Sequence, residues 1–261
     1  MESNRRTFMK IGGLCALGLG ALPVVDAFAK LDQPKFSQDP QALVGKKWAM
    51  VIDMKKCWEK GKPGCKDCML ACHKYHNVPT IEDEKEEIKW IWTDEHEHVF
   101  VGQSNPYTEE NLHGKPFIVL CNHCANPACV RVCPTKATFK RKEDGIVMMD
   151  FHRCIGCRFC MAACPFGARS FNFRDPRPYI KTELNASFPT RERGVVEKCN
   201  FCNERLAAGS LPACVEACKC GALVFGDLED PKSGVRKLLA SHYTIRRKPE
   251  LGTEPNVYYI V

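Results

Sequence analysis

No apolar run in these 261 residues reaches the roughly 18 residues expected of a membrane-spanning helix, and the mean hydropathy is −0.30. The sequence therefore offers no span of its own, although a membrane partner stays open. It lacks a glycine-rich nucleotide loop, which excludes the usual way of cradling phosphates. It also lacks a nucleophile–base arrangement and any obvious substrate-pocket signature, so nothing in it carries bond-making chemistry. Attachment of a c-type haem needs C-x2-C-H, and Cys68-Met-Leu-Ala-Cys72-His73 has one residue too many. What is abundant is cysteine, 18 in all. All but Cys15 and Cys220 fall into four groups of four.

The quartets are Cys57, Cys65, Cys68, Cys72; Cys121, Cys124, Cys129, Cys133; Cys154, Cys157, Cys160, Cys164; and Cys199, Cys202, Cys214, Cys218. The third, with Pro165 after it, reads C-x2-C-x2-C-x3-C-P, the ligand pattern of a bacterial ferredoxin [4Fe–4S] site. Three thiolates of a cubane can come from one tight loop, with backbone N–H groups facing the cluster sulfides. The fourth cysteine lies a helical turn further on and serves the neighbouring cluster. Proline after it lacks an N–H and steers the chain out of the helix. The expected ligand sets are crossed accordingly. Cys121, Cys124, Cys129 and Cys164 hold one cluster (cluster 2), and Cys154, Cys157, Cys160 and Cys133 hold another (cluster 3). Quartets one and four must then be mates, giving Cys57, Cys65, Cys68, Cys218 (cluster 1) and Cys199, Cys202, Cys214, Cys72 (cluster 4).

Two quartets depart from the pattern. Seven residues separate Cys57 from Cys65, which makes Cys57 the least regular ligand. Quartet four ends Cys218-Lys219-Cys220 without a proline, so Cys218 and Cys220 compete for one corner, and the spacing from Cys214 favours Cys218. Zinc ribbons also use C-x2-C pairs, but they do not need the run at 154–165. A structural zinc protein that binds nucleic acid stays as the distant alternative. His73, His76, His96, His98 and His123 are assigned to solvent or supporting positions rather than to ligation.

The segment Asn4-Arg5-Arg6-Thr7-Phe8-Met9-Lys10 resembles a twin-arginine export motif, followed by a weakly apolar run and an A-x-A cleavage site at Ala27-Phe28-Ala29. Residues 1–29 are read as this signal, which implies folding and cofactor loading before export to the periplasm. That route suits cluster ligands better than a disulfide framework. Losing 1–29 lowers the formal charge from +7 to +6. Four oxidised clusters with their thiolates contribute about −8. The holoprotein is thus near neutral or slightly acidic, and nucleic acid is not needed to explain the basic residues. Lys56, Lys66, Arg131, Arg153, Arg158 and Lys198 stand beside ligands and are candidates to offset cluster charge.

The coarse reading is α+β. Strands are expected at 47–53, at 116–120, over 168–173, at 222–225 and at 257–261, with Ile88, Trp90 and Trp92 alternating as in a strand. Ala137–Phe139 and Ile146–Met149 flank an Asp144-Gly145 turn as a hairpin. A short basic helix is expected near 235–239.

The quartet order, Arg191-Glu-Arg-Gly-Val-Val-Glu-Lys-Cys199-Asn-Phe-Cys202, Gly209-Ser-Leu-Pro-Ala-Cys214 and Leu251-Gly-Thr-Glu-Pro-Asn-Val-Tyr-Tyr259 resemble the four-cluster iron–sulfur subunits of the molybdoenzyme and polysulfide-reductase type. The resemblance covers nearly the whole chain beyond residue 29. It implies two nested ferredoxin-like modules with pseudo-twofold symmetry: residues 30–115 plus 191–225 outside, 116–190 inserted, and 226–261 as an extension. Within the family, the export signal, the expanded first quartet and Glu87-Ile-Lys-Trp-Ile-Trp92 are most similar to the DsrO type of the menaquinone-linked DsrMKJOP complexes. That implies a non-catalytic electron carrier with a quinone-interacting, NrfD-like membrane partner and a multihaem cytochrome c partner. Iron–sulfur subunits of nitrite, tetrathionate or polysulfide reductases share most of these motifs.

Overall fold

The structure, a computed structural model, describes residues 39–61, 64–103, 107 and 112–261. Residues 1–38, including the segment expected to be an export signal, lie outside the described residues. Strand β1 (Trp48–Asp53) is buried along its whole length. The cause is its central place in a three-stranded sheet, between β8 (Leu223–Asp227) and β9 (Val257–Ile260). It runs antiparallel to β8, with Ile52 opposite Leu223, and parallel to β9, with Met50 opposite Val257. Alternation along β1 serves two cores. Met50 and Ile52 join Trp90, Phe117 and Tyr259, while Ala49 and Val51 meet Val235, Leu228 and Ile260. Val235 belongs to the helix Gly234–Ser241, which lies over the second face of the sheet.

Among the described residues, three two-stranded sheets complete the architecture: β2 (Ile91–Glu95) with β3 (Pro116–Leu120), β4 (Thr138–Lys140) with β5 (Val147–Met149), and β6 (Ser170–Phe171) with β7 (Val196–Glu197). The hairpin closes as its turn residues require. Gly145 takes φ +76 and Asp144 accepts the Ile146 N–H at 3.1 Å.

Two expected strands differ. β2 starts only at Ile91, so Ile88 and Trp90 precede it as core residues, and Trp90 Nε1 donates to Glu197 at 2.9 Å. β6 is shorter than 168–173, because the Phe173 N–H turns back to the Phe171 carbonyl at 3.1 Å and ends the strand.

Residues 39–261 form one compact unit. β2–β3 and β6–β7 each pair strands across the borders expected near residues 115 and 190. The second crossing is reinforced by Arg191, fully buried, which pairs with Glu197 at 2.7 Å and donates to the carbonyls of His76 and Asn77. A buried charge of this kind is tolerated because its two terminal nitrogens are paired and hydrogen-bonded. Among the described residues no helix is long and apolar enough to cross a membrane.

Candidate metal centres

Short helices and turns position the thiols. Cys57 lies on α1 (Met54–Lys60), whose N-terminus is capped by Asp53 accepting the Lys56 N–H at 3.0 Å. β1 leads into α1, and the chain leaves Cys218 and Cys220 just before β8. The antiparallel register of β1 and β8 therefore brings Cys57 to the same end of the sheet as Cys218. Cys68 and Cys72 stand one turn apart on α2 (Asp67–Tyr75), both buried. That helix packs on Ala213–Glu216, which carries Cys214. The other half repeats the arrangement: Ala128–Arg131, bearing Cys129, packs on Phe159–Ala163, bearing Cys160. Cys133 precedes β4 and Cys154 follows β5, so the hairpin brings them to one end.

Four groups of thiols result. Cys57, Cys65, Cys68 and Cys218, together with Cys220, line one cavity of about 330 Å³. Cys72 is pushed well up by burial and then by the charges of Cys202, Cys214 and Cys199. Cys124 is pushed up to about 12 by burial and then by Cys121, with Cys164 and Cys129 adding to it. Cys133, Cys154, Cys157 and Cys160 line a single narrower recess. Neighbouring groups touch electrostatically in sequence. Cys214, raised first by burial, also feels Cys68; Cys199, raised by burial, feels Cys121; Cys160, raised by burial, feels Cys129.

Buried thiols crowded in this way hold their protons tightly. Binding to iron reverses the balance, because a coordinating thiol is deprotonated outright. Cys133 shifts the other way. Burial pushes it up, but the N–H of Thr138, the Thr135 side chain and the N–H groups of Ala137 and Thr135 together bring it below the ordinary thiol value.

The donor chemistry fits an iron–sulfur cubane. Every described cysteine is free of a disulfide. Backbone N–H groups point at sulfur, Phe201 at Cys199 and Ala213 at Cys202, both at 3.4 Å. Among the described residues no three His, Cys, Asp or Glu side chains converge tightly enough for a single metal ion. The C-x2-C-x2-C-x3-C-P run at 154–165 suits a multi-iron cluster better than zinc.

One cation that spacing did not single out, Arg169, joins those expected beside the ligands. Arg169 is buried and donates to Thr138 Oγ1 at 2.7 Å. Burial alone lowers its pKa, but the charges of Cys129, Cys160 and Cys121 outweigh that and raise it. It is a cation set between the second and third quartets. Lys198 is buried with its Nζ on the carbonyls of Val147 and Cys199. Lys56 and Arg153 instead pair with Asp53 and Asp150. Arg158 lies over the rings of Phe171 and Phe173.

The histidines divide. His76, His96 and His123 are buried, the supporting alternative of the two expected, while His98 is exposed. The His123 ring stacks on Phe201 at 3.7 Å and 17°. The two occupy the same place in Cys121-Asn-His-Cys124 and Cys199-Asn-Phe-Cys202, and both take left-handed φ, 41° and 56°. The signal that could have found them is this repeated C-N-x-C. Left-handed backbone costs a non-glycine residue on the order of 1–3 kcal/mol, tolerated where it turns groups toward a site. Gly156 meets a stricter demand: at φ +67, a Cβ there would collide with the Gly194 carbonyl.

Comparison with known proteins agrees with this chemistry. The 4Fe-4S dicluster domain family matches residues 115–177 and again 177–228. The chain is 40% identical to the Hdr-like menaquinol oxidoreductase iron-sulfur subunit 1 of Archaeoglobus fulgidus, over 98% of this chain and 97% of that protein. It is 37% identical to the menaquinone reductase iron-sulfur cluster-binding subunit of Nitratidesulfovibrio vulgaris, over 82% and 88%. It is 36% identical to a tetrathionate reductase subunit of Salmonella typhimurium, over 100% and 89%. Two dicluster matches and four thiol quartets give four [4Fe–4S] clusters. The chain belongs to the ferredoxin-type iron–sulfur subunits of the molybdoenzyme and polysulfide-reductase family, which carry electrons within membrane quinone oxidoreductase complexes and are not themselves catalytic.

Proposed function

We propose that the chain is a periplasmic subunit relaying single electrons through its four clusters. They run between a quinone-linked, NrfD-like membrane subunit and other redox subunits, including a multihaem cytochrome c, of a sulfur-metabolism complex. The clusters supply one-electron redox chemistry; the protein's residues hold them, set their order and keep water away. The observation that carries the reading is the sequence of electrostatic neighbours, Cys68 to Cys214, Cys199 to Cys121, and Cys129 to Cys160. It supports a single file in the order cluster 1, 4, 2, 3. The ligand sets are the crossed ones, and the four thiol groups support them.

Nested modules with pseudo-twofold symmetry are supported by the sheets. β4–β5 serves cluster 3 as β8–β1 serves cluster 1, and β6–β7 leads into Cys199 as β2–β3 leads into Cys121. The His123–Phe201 stack then lies near the pseudo-axis. The quinone link draws support from two relatives named for menaquinol and menaquinone, and export draws on the arginine pair at Arg5-Arg6.

Anaerobic purification of the native complex tests this reading. The expected result is a brown protein with broad absorbance near roughly 400 nm, copurifying with an NrfD-like protein and a cytochrome c. A molybdenum subunit in their place would assign the chain to a tetrathionate or polysulfide reductase; a colourless zinc protein would end the iron–sulfur reading. For the ligand sets, Cys133→Ser should perturb the cluster held by Cys154, Cys157 and Cys160. Loss of the Cys121/Cys124 cluster alone would refute the crossed arrangement.

A further inference from the structure

Cys220 is a thiol that four complete quartets leave unused. It sits on the turn between Ala213–Glu216 and β8, with its Sγ 3.6 Å from that of Cys218. It lines the same cavity as Cys57, Cys65, Cys68 and Cys218.

The equivalent turn after quartet two is informative. There the chain reads Cys133-Pro134-Thr135, and Thr135 Oγ1 lies 3.7 Å from Cys133 Sγ. Cys220 occupies the place of that threonine, with the same two-residue offset and the same side chain-to-sulfur contact. A hydroxyl there supports the ligand by hydrogen bonding; a thiol can also bind iron. Lys219 stands where Pro134 fixes the backbone, so this turn is not locked by a ring. Gly221 follows at φ +67, with open space where a Cβ would be.

We propose that Cys220 is a reserve ligand of cluster 1, exchanging with Cys218 at one corner. This rests on the ligand set given above for Cys57, Cys65 and Cys68. In the exchange the Cys220 thiol releases its proton as its Fe–S bond forms. The Cys218 sulfur takes up a proton as its own Fe–S bond breaks, and no electron is gained or lost. Cluster 1 thus keeps four sulfur ligands when either thiol is blocked.

The test uses the full chain in its complex, purified anaerobically, with alanine in place of cysteine because a serine hydroxyl can itself bind iron. Iron content and low-temperature EPR of the reduced protein are read for Cys68→Ala, Cys218→Ala, Cys220→Ala and the Cys218→Ala/Cys220→Ala double variant. Both single variants at 218 and 220 are expected to keep all four clusters, Cys218→Ala with an altered cluster 1 signal. The double variant and Cys68→Ala are each expected to lose that one cluster. Loss of cluster 1 in Cys218→Ala, as complete as in the double variant, overturns the reserve role. Full retention in Cys68→Ala overturns the underlying ligand set instead.

A second measurement does not depend on any variant folding. Slow iodoacetamide labelling of the wild-type holoprotein, mapped by mass spectrometry, should give molecules labelled at 218 or at 220 but not at both, with Cys57, Cys65 and Cys68 protected. Labelling confined to Cys220 contradicts exchange.

Discussion

The inner quartets, two and three, are held by the chain close to them; the outer quartets, one and four, are held by the rest of the molecule. Cys133 and Cys154 are brought together by a hairpin with a tight turn between them. Cys57 and Cys218 meet only because β1 pairs with β8 across the length of the sequence. Cys133 has local N–H groups and the Thr135 hydroxyl around its sulfur, whereas Cys218 has a second thiol there. Local closure tolerates little variation, since every ligand is fixed by its neighbours in sequence. Closure through a sheet leaves the spacing free, which is how a seven-residue loop and a missing proline can occur in the outer pair.

The comparison breaks most severely at β9. Ending the chain at Asn256 removes Val257, Tyr259 and Ile260, all buried, at roughly 1.5–3 kcal/mol each. It also exposes one edge of β1. The expected outcome is loss of cluster 1 from the EPR spectrum while the signals of clusters 2 and 3 survive. Simultaneous loss of all four would mean that the halves are not separable.

Arg191→Met comes next. It strands Glu197, two residues before Cys199, as a buried unpaired carboxylate and should cost about 3–5 kcal/mol in anaerobic denaturant unfolding. Arg191→Met/Glu197→Gln should recover part of the loss. A cost below about 1 kcal/mol would show that the pair does not hold the outer half together.

Asp53→Ala removes the cap of α1, worth about 1 kcal/mol. Iron release to a chelator should quicken for cluster 1 alone, and equal release from cluster 3 would erase the distinction between the halves. The smallest effect is expected for Thr135→Val. A donor to the Cys133 sulfur stabilises the more negative reduced cluster, so its removal should lower one potential. The change should correspond to at most about 1.5 kcal/mol, read by EPR redox titration. An upward shift would mean that the hydroxyl does not stabilise the reduced cluster.

The legible features were those written in short spacings. β1, β3, the hairpin turn, the helix containing Val235 and the strand at 257 all follow from runs of a few residues whose burial or turn chemistry is local. The ferredoxin motif is legible for the same reason, since three ligands lie within one loop. Trp90 was harder: its alternation with Ile88 and Trp92 suggested strand, but its indole is held by Glu197, 107 residues away. Arg169 carries no motif, and its importance arises only where Cys129 and Cys160 approach it from two helices. His123 and Phe201 look like ordinary variable positions until the fold lays one ring on the other.

The central position of β1 has a consequence in time. Both of its partners come late, at residues 223 and 257, so β1 and the Cys57 thiol that follows it wait for some 170 residues of synthesis. At about 5–20 residues per second that is on the order of 10–30 s on the ribosome. The hairpin carrying Cys133 and Cys154 is complete long before. Iron loading should therefore begin at the inner pair and finish at the outer one, which makes a filled cluster 1 the natural mark of a finished chain.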